Sequence, residues 1–127
     1  MGTNNNARAP LAYARTQLGR TGEKLAAQYL EENGWEILAT NYSGRGFELD
    51  IVAEKDGTTA VVEVRTRRGT PPTFIAESIT PDKVRSLRRG ASQWLAATGA
   101  RTQLRFDVVV VSVRGNRAHL HHYPDVK

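Results

Sequence analysis

The segment 46–68, GFELDIVAEKDGTTAVVEVRTRR, decides the fold because two strand-like runs flank the pair Asp56-Gly57. An Asp-Gly pair between runs rich in β-branched residues is typical of a β-hairpin with a two-residue turn. Such a turn pairs Lys55 with Thr58 and sets the register of both strands. A three-residue loop would instead shift the pairing by one residue. We therefore expect an antiparallel hairpin whose register follows from its turn.

This register brings acidic side chains together. Counted from the turn, Asp50 faces Glu63, and two residues further out Glu48 faces Arg65. Because side chains alternate along a strand, these four share one face, and the other face carries Leu49, Ile51, Val62 and Val64. Like charges that face each other destabilise a sheet unless a counter-ion neutralises them, and Mg²⁺ takes carboxylate oxygens as ligands. The alternative is a solvent-facing hairpin with mixed charges, which leaves Asp50 opposite Glu63 unexplained.

A third acid lies in the first predicted helix. Residues 18–33 carry apolar side chains on one helical face and polar side chains opposite, and Gly34 is a natural stop. Glu23 lies at the margin of the apolar face, so its side chain should lean toward the sheet. The alternative is that Glu23 is a boundary residue that only helps the helix to start.

The rest of the pattern predicts an α/β fold. Residues 35–44 form a strand before the hairpin, and residues 69–79 form a proline-containing loop. Thr80-Pro81-Asp82 supplies a cap, a first-turn proline and a first-turn acid for a second helix, which ends at Thr98-Gly99. The run LRFDVVVVSV (104–113) indicates a strand covered on both faces, and AHLHHY (118–123) is a candidate edge strand. We expect a mixed sheet flanked by helices.

Length and charge narrow the class of protein. The 127 residues are 39% hydrophobic, enough for one domain, which we place at 16–127 after a flexible leader at 1–15. There are 18 Lys and Arg residues, 14 of them Arg, and the net charge of +5 favours nucleic acid over a membrane surface as partner. The chain has no Cys and no apolar run approaching the ~20 residues that cross a bilayer. A cytoplasmic protein without membrane contact is expected.

The order and spacing of these motifs resemble a nuclease family. The segments GRTGEKLAAQYLEENGWEILATNY (19–42), GFELDIVAEKDGTTAVVEVRTR (46–67) and RFDVVVV (105–111), with Lys83 opening the second helix, are similar to the YraN-like family of predicted endonucleases. That family resembles archaeal Holliday-junction resolvases within the PD-(D/E)xK nuclease superfamily. The resemblance covers about residues 16–113 and implies a three-layer restriction-endonuclease-like sandwich with a mixed central sheet.

The resemblance also implies a site and a reaction. The implied ligands of Mg²⁺ or Mn²⁺ are Asp50, Glu63, the backbone carbonyl of Val64 and Glu23, the last directly or through water. Glu48 would be an acid in the outer shell, and the catalytic set would be Glu23, Asp50, Glu63 and Arg65. The implied reaction is phosphodiester hydrolysis in DNA, with branched or structured DNA as the substrate suggested by the relatives. A homodimer is expected by the same analogy.

Two residues depart from the family pattern. Arg65 stands where the family usually has Lys, and Phe47 stands where it usually has Gly. Because arginine stays charged throughout, it can hold a phosphate but cannot trade a proton. An amine from elsewhere in the chain, Lys83 or Lys24, is one substitute. One alternative function is a nuclease-fold protein that binds nucleic acid without cutting it. Another is an RNA-binding or assembly protein that uses only its basic surface.

For the remaining polar residues the sequence predicts less specific roles. A set of basic residues is predicted to bind the nucleic-acid backbone, and the alternative is a solvated helix face: Arg67, Arg68, Lys83, Arg85, Arg88 and Arg89. Three histidines without a fourth ligand are expected at the surface: His119, His121 and His122. Asp107, inside a buried run, is expected to be a structural hydrogen-bond acceptor.

Overall fold

The computed structural model describes the backbone of residues 11–126 and the side chains of residues 17–126. Its elements in chain order are α1 (Leu11–Glu32), β1 (Glu36–Gly44), β2 (Phe47–Lys55), β3 (Thr58–Arg68), α2 (Pro72–Glu77), α3 (Pro81–Thr98), β4 (Gln103–Arg114) and β5 (Arg117–Tyr123). The five strands form one sheet in the order β1-β2-β3-β4-β5. β3 and β4 pair in parallel and the other neighbours pair antiparallel, so the mixed sheet is as predicted.

Helices cover both faces of this sheet. On one face, Ala26 and Leu30 of α1 pack into a cluster with Ile51. On the other face, Leu87 of α3 packs with Val52. The three-layer α/β arrangement expected from the sequence is therefore present, and it places the second half of α1 and the length of α3 beside the sheet.

The strand β4 lies inside these layers. Its run from Asp107 to Ser112 is buried, which confirms the prediction of a strand covered on both faces. Val109 belongs to the cluster under α1, whereas Val108 packs with Ile75 of α2 on the opposite face. The predicted edge strand is also present as β5, which pairs with β4.

The long helices differ in how well their ends follow the sequence signals. For α3, the Thr80 hydroxyl accepts a 3.1 Å hydrogen bond from the Lys83 N–H, and Gly99 ends the helix at φ +67°, as the cap residues predict. α1 begins at Leu11 rather than at residue 18, because the intervening Leu, Ala, Arg and Gln residues are good helix formers. The helix includes residues 11–15 of the predicted leader, and residues 1–10 lie outside the described chain.

The short helix α2 lies where the sequence predicts only a loop. Pro72 occupies the first turn, where its missing N–H leaves no hydrogen bond unmade, and Ile75 is buried against β4. The prolines at 71 and 72 therefore start a helix here rather than prevent one.

The hairpin has the predicted register near its turn and opens further out. Lys55 pairs with Thr58, and regular pairing continues to Ile51 and Val62. Beyond this level β2 stays paired with β1 and β3 stays paired with β4. The two strands diverge, and we call the gap between them the fork.

Strict alternation fails at Asp50, so the predicted separation into a charged face and an apolar face is wrong for Leu49. Leu49 packs with Leu87 on the α3 side of the sheet, whereas Ile51, two residues along, packs on the α1 side. The neighbouring strand is irregular at the same level, where Asn41 has a φ of +52°. Asparagine tolerates this left-handed conformation better than most residues do. The irregular residues of β1 and β2 lie next to each other, and the fork begins at this level.

Candidate active site

Glu63 is a buried acid on the β3 side of the fork, with 4% of its surface exposed. Its Oε2 accepts a 2.8 Å hydrogen bond from Arg65 Nε. Its Oε1 lies 3.5 Å from Lys83 Nζ and accepts no hydrogen bond within the described part of the chain. A buried carboxylate oxygen without a donor is costly unless a cation neutralises it. The Oε1 atom is therefore well placed to be a ligand of a cation.

Asp50 faces Glu63 from the β2 side of the fork. Its Oδ2 accepts a 2.9 Å hydrogen bond from the backbone N–H of Val64. Burial, and next the negative charge of Glu63, raise the pKa of Asp50 to about 7, against the opposing effects of the Val64 hydrogen bond and the Lys83 charge. The two carboxylates therefore resist being ionised together at neutral pH, and a divalent cation would relieve that repulsion.

Glu23 reaches the same region from α1. Burial raises its pKa, a hydrogen bond with the Asn41 side chain opposes the rise, and the charges of Glu48 and Glu63 add to it. Glu48 itself is exposed, consistent with a place outside the metal shell. The structure thus brings together acids from α1, β2 and β3.

A close helix–strand contact sets the position of Glu23. A Cβ atom added to Gly22 would lie 1.8 Å from Thr66 Oγ1, so a larger residue at position 22 would displace α1 from β3. Because Glu23 is the next residue, the glycine determines how near its carboxylate comes to the fork.

The oxygen donors of the fork fit a hard divalent cation. Asp50 and Glu63 provide carboxylates. The N–H and C=O of an extended residue point to the same side of its strand, so the Val64 carbonyl faces the fork with its N–H. Mg²⁺ commonly takes one or two carboxylates and leaves its other positions to water and phosphate. Among the described residues, no three Asp, Glu, His or Cys side chains lie close enough together to hold a metal ion, so Glu23 does not form such a group with Asp50 and Glu63.

Two contributors to the site were not assigned there from the sequence. Lys83 was predicted only as a phosphate contact or a substitute amine, yet its Nζ lies beside Glu63. Asn41 was not predicted at all. An asparagine inside a strand-like run is the signal that could have found it, because Asn is depleted in strands and enriched at left-handed positions.

The basic residues predicted to bind the nucleic-acid backbone make different contacts in the structure. Arg89 Nη1 and Ser86 Oγ donate to the Gly46 carbonyl at 2.9 and 3.2 Å, so they hold the β1–β2 turn against α3. Arg88 lies over the Phe106 ring, 6.0 Å from its centroid. Arg85 forms an ion pair with Asp82 on the helix surface.

The cations on β3 and α1 lie nearer the open end of the fork. Arg67 and Arg68 follow Arg65 on β3 and are exposed, with guanidinium hydrogen bonds to the carbonyls of Thr66 and Gly115. Arg20 is exposed on α1, and its charge lowers the pKa of Glu23. These exposed side chains can still offer N–H groups to a polyanion.

A second polar cluster lies on the α1 side of β4, away from the fork. Asp107 accepts hydrogen bonds from Arg105 at 2.8 and 2.9 Å, from the backbone of Asp125 at 3.0 Å, and contacts His122 Nε2 at 2.7 Å. His122 Nδ1 lies 2.9 Å from the Tyr29 hydroxyl. Asp107 is thus the acceptor predicted from the buried run. His122, expected at the surface, is instead partly buried because β5 brings it beside Asp107.

Two surface cavities lie outside the fork. One is lined by Thr73, Ala76, Val108, Tyr123 and Val126, and another of similar volume by Ile79, Pro81, Val84, Arg85 and Arg88. Neither includes the acids of the fork. Within residues 11–126, no helix combines the length and the apolar character needed to cross a bilayer.

The chain matches one protein family over most of its described length. The family model of "Uncharacterised protein family UPF0102" matches residues 22–111. A UPF0102 protein of Roseiflexus castenholzii is 44% identical over 114 residues, which cover 87% of this chain and 92% of the relative. A second, from Nocardia farcinica, is 46% identical over 107 residues, covering 83% and 84%. A third, from Syntrophomonas wolfei, is 40% identical over 107 residues, covering 84% and 93%. The matched region includes the fork, and the chain belongs to the UPF0102 family.

Proposed function

We propose that this protein is a metal-dependent nuclease that hydrolyses phosphodiester bonds in DNA. The observation that carries the proposal is the convergence of Asp50 and Glu63 in the fork, where burial and mutual repulsion favour a bound cation. The oxygen donors around them suit Mg²⁺ or Mn²⁺. The likeness of the sequence motifs to PD-(D/E)xK nucleases supports the same reaction.

Exposed arginines around the open end of the fork support a polyanionic substrate. Arg20 lies on α1, Arg45 in the β1–β2 turn, and Arg67 and Arg68 at the end of β3. Arginine can fork onto phosphate oxygens, and such contacts position a nucleic-acid backbone without reading its sequence. We therefore expect binding that depends strongly on salt and weakly on base sequence.

Each residue of the fork has a separate task in this proposal. Asp50, Glu63 and the Val64 carbonyl would hold the metal, which when bound would lower the pKa of a water molecule and offset charge on the leaving oxygen. Glu23 would accept a hydrogen bond from that water and orient it toward the phosphorus. Arg65 holds Glu63 through Oε2 and stays charged, so it can stabilise negative charge but cannot carry a proton.

A second candidate function is nucleic-acid binding without cleavage. The Arg65–Glu63 contact favours it, because a guanidinium fixed on a metal-ligating carboxylate competes with a metal for that group. In this case the acids and the arginines would form a binding surface without hydrolytic chemistry.

Cleavage of labelled DNA tests the first candidate against the second. Four-way-junction, flap, single-stranded and duplex DNA are incubated with Mg²⁺, Mn²⁺ or EDTA. Wild type is compared with Asp50→Asn and Glu63→Gln, which keep side-chain size and also control for a contaminating nuclease. We expect metal-dependent cutting by wild type and a loss of about 10³-fold or more in both variants. Equal cutting by wild type and Asp50→Asn would contradict the nuclease proposal.

The Arg65→Lys variant separates the two candidates further. If only Arg65→Lys cuts, the second candidate describes the natural protein. We infer a preference for branched DNA and a homodimer from the resemblance alone. Preference among the four DNA structures tests the former, and light scattering after gel filtration tests the latter.

A further inference from the structure

Lys83 is held at the edge of the fork by the start of α3. It is the third residue of the helix, and its backbone N–H donates to the Thr80 hydroxyl at 3.1 Å. Pro81, two residues earlier, has a φ angle that its ring fixes near the helical value. The side chain is 30% exposed and brings Nζ to 3.5 Å from Glu63 Oε1. The cap therefore fixes the backbone from which the Lys83 side chain reaches the fork.

The two cations on Glu63 are not equivalent. Arg65 Nε donates to Oε2 at 2.8 Å, whereas Oε1 accepts no hydrogen bond from the described residues although Lys83 lies at ion-pair distance. The Lys83 ammonium can turn its three N–H groups toward another acceptor without breaking a hydrogen bond to Glu63. A lysine also differs from an arginine in being a compact charge on a flexible four-carbon chain.

The field of Lys83 reaches both carboxylates of the fork. Its positive charge acts to lower the pKa of Asp50, in opposition to burial and to the charge of Glu63. A phosphate bound to a metal ion on Glu63 would lie beside that carboxylate, so the Lys83 ammonium, 3.5 Å from Glu63 Oε1, is placed to reach it in the proposed function.

We propose that Lys83 is a catalytic residue of the active site, which donates a hydrogen bond to the phosphate from its place beside Glu63, while Arg65 on β3 is engaged with Glu63 through its Nε. This inference rests on the proposed nuclease function. It assigns the two cations different tasks, with Arg65 orienting Glu63 and Lys83 linking Glu63 to the substrate.

Replacing this charge should change metal binding and cleavage in opposite directions. Lys83→Met keeps most of the side-chain volume but removes the cation beside two acids. The local potential becomes more negative, so Mn²⁺ should bind about fivefold more tightly or better. Single-turnover cleavage should nevertheless fall about 10²-fold, because the substitution removes a donor to the phosphate. A merely structural residue would weaken both.

The experiment measures Mn²⁺ binding by calorimetry without DNA, and single-turnover cleavage of whichever DNA the wild type cuts. The variants are Lys83→Met, Lys83→Arg and Lys55→Met, the last a charge-matched control at the opposite end of β2, where Lys55 Nζ donates to the Asn33 carbonyl at 2.7 Å. Thermal unfolding of each confirms folding. Lys83→Arg should recover part of the cleavage, and Lys55→Met should resemble wild type in both measurements.

Two results would overturn the inference. Cleavage by Lys83→Met at the wild-type rate, while Asp50→Asn is inactive, would remove Lys83 from the reaction and leave the nuclease proposal standing. Unchanged or weaker Mn²⁺ binding by Lys83→Met would show that the Lys83 charge does not repel a metal ion bound in the fork. That second measurement can overturn the inference even if the wild type cuts no DNA, a result that would by itself remove the proposed function on which the inference rests.

Discussion

The backbone N–H of Val64 on β3 donates a 2.9 Å hydrogen bond to Oδ2 of Asp50 on β2, just beyond the last regular pair between these strands. A side-chain acceptor thus satisfies a backbone group that the opening of the sheet would leave without a partner strand. The same bond holds the Asp50 carboxylate next to Glu63. The divergence of β2 from β3 therefore also determines where the Asp50 carboxylate lies.

Asp50→Asn should stabilise the metal-free protein at pH 8. The pKa of Asp50 is raised to about 7 in the folded chain, above its ordinary value of 3.8, so the folded state loses stability as the pH rises from about 4 to 7. Asparagine cannot ionise but keeps an acceptor for the Val64 N–H. In EDTA, chemical denaturation should show a gain of about 2 kcal/mol at pH 8 and little difference at pH 4.

Added Mg²⁺ should reverse that order, because a bound ion stabilises only a folded state that can hold it. Wild type should then gain stability with increasing Mg²⁺ while Asp50→Asn does not. A variant less stable than wild type at pH 8 in EDTA would show that the Asp50 charge does not cost the folded protein stability.

Gly22→Ala should destabilise the protein by about 1–3 kcal/mol, because the new methyl group meets the Thr66 side chain. Gly19→Ala is the matched control on the same helix. Nothing lies within 4 Å of the Cβ position at Gly19, so this change should stabilise by about 0.5–1 kcal/mol through helix propensity. Urea denaturation measures both. Equal effects of the two substitutions would mean that α1 does not pack on β3 through Gly22.

Asp107→Asn should reduce stability at neutral pH and remove an acid-sensitive part of it. Burial alone would raise the pKa of Asp107, but hydrogen bonds with His122, Arg105 and the Asp125 backbone outweigh it and lower the pKa to about 2. Because the folded pKa lies below the ordinary value of 3.8, the stabilisation is fully present above about pH 4 and disappears as the pH falls toward 2.

The expected difference between wild type and Asp107→Asn is about 2 kcal/mol at pH 6, shrinking between pH 4 and pH 2. Denaturant titrations across this range measure it. His122→Ala offers a partial removal of the same cluster and should show a smaller loss at pH 6. A difference that stays constant down to pH 2 would contradict the hydrogen-bonded, ionised state of Asp107.

Arg67→Gln and Arg68→Gln should each weaken DNA binding and reduce the slope of log affinity against log salt by about 0.9 for every phosphate that the protein no longer neutralises. Arg101→Gln removes the same charge after the end of α3, at the other end of the sheet, and should leave the slope unchanged. Fluorescence anisotropy with Ca²⁺, at several salt concentrations, measures these slopes. If Arg101→Gln lowers the slope as much as Arg67→Gln, binding does not centre on the open end of the fork.

The elements that the sequence predicted best are those with strong local signals. Asp56-Gly57 defines the turn and hence the pairing of Lys55 with Thr58, and Thr80 with Pro81 defines the start of α3. Such signals act within a few residues, so no knowledge of the rest of the chain is needed. The start of α1 and the short helix α2 were missed because helix propensity without an apolar period, and tandem prolines, do not decide between helix and loop.

The acids of the fork were identifiable from the sequence, but their environment was not. Asp50 and Glu63 follow from counting back along the hairpin, and Glu23 from its place at the margin of an apolar helical face. The divergence of β2 from β3 depends on Asn41 and on the competing pairings with β1 and β4. Those long-range partners also turn Leu49 to the opposite face from Ile51, which alternation alone does not predict.

By itself the sequence determined the order of helices and strands, the hairpin register near its turn, the buried strand β4 and the choice of acids, because each depends on local periodicity or turn chemistry. Only the tertiary structure decided that Lys83 lies beside Glu63, that Arg89 holds Gly46, and that His122 joins Asp107. These pairs join residues between 15 and 43 positions apart. Their distances depend on how helices and strands pack, which no spacing along the chain specifies.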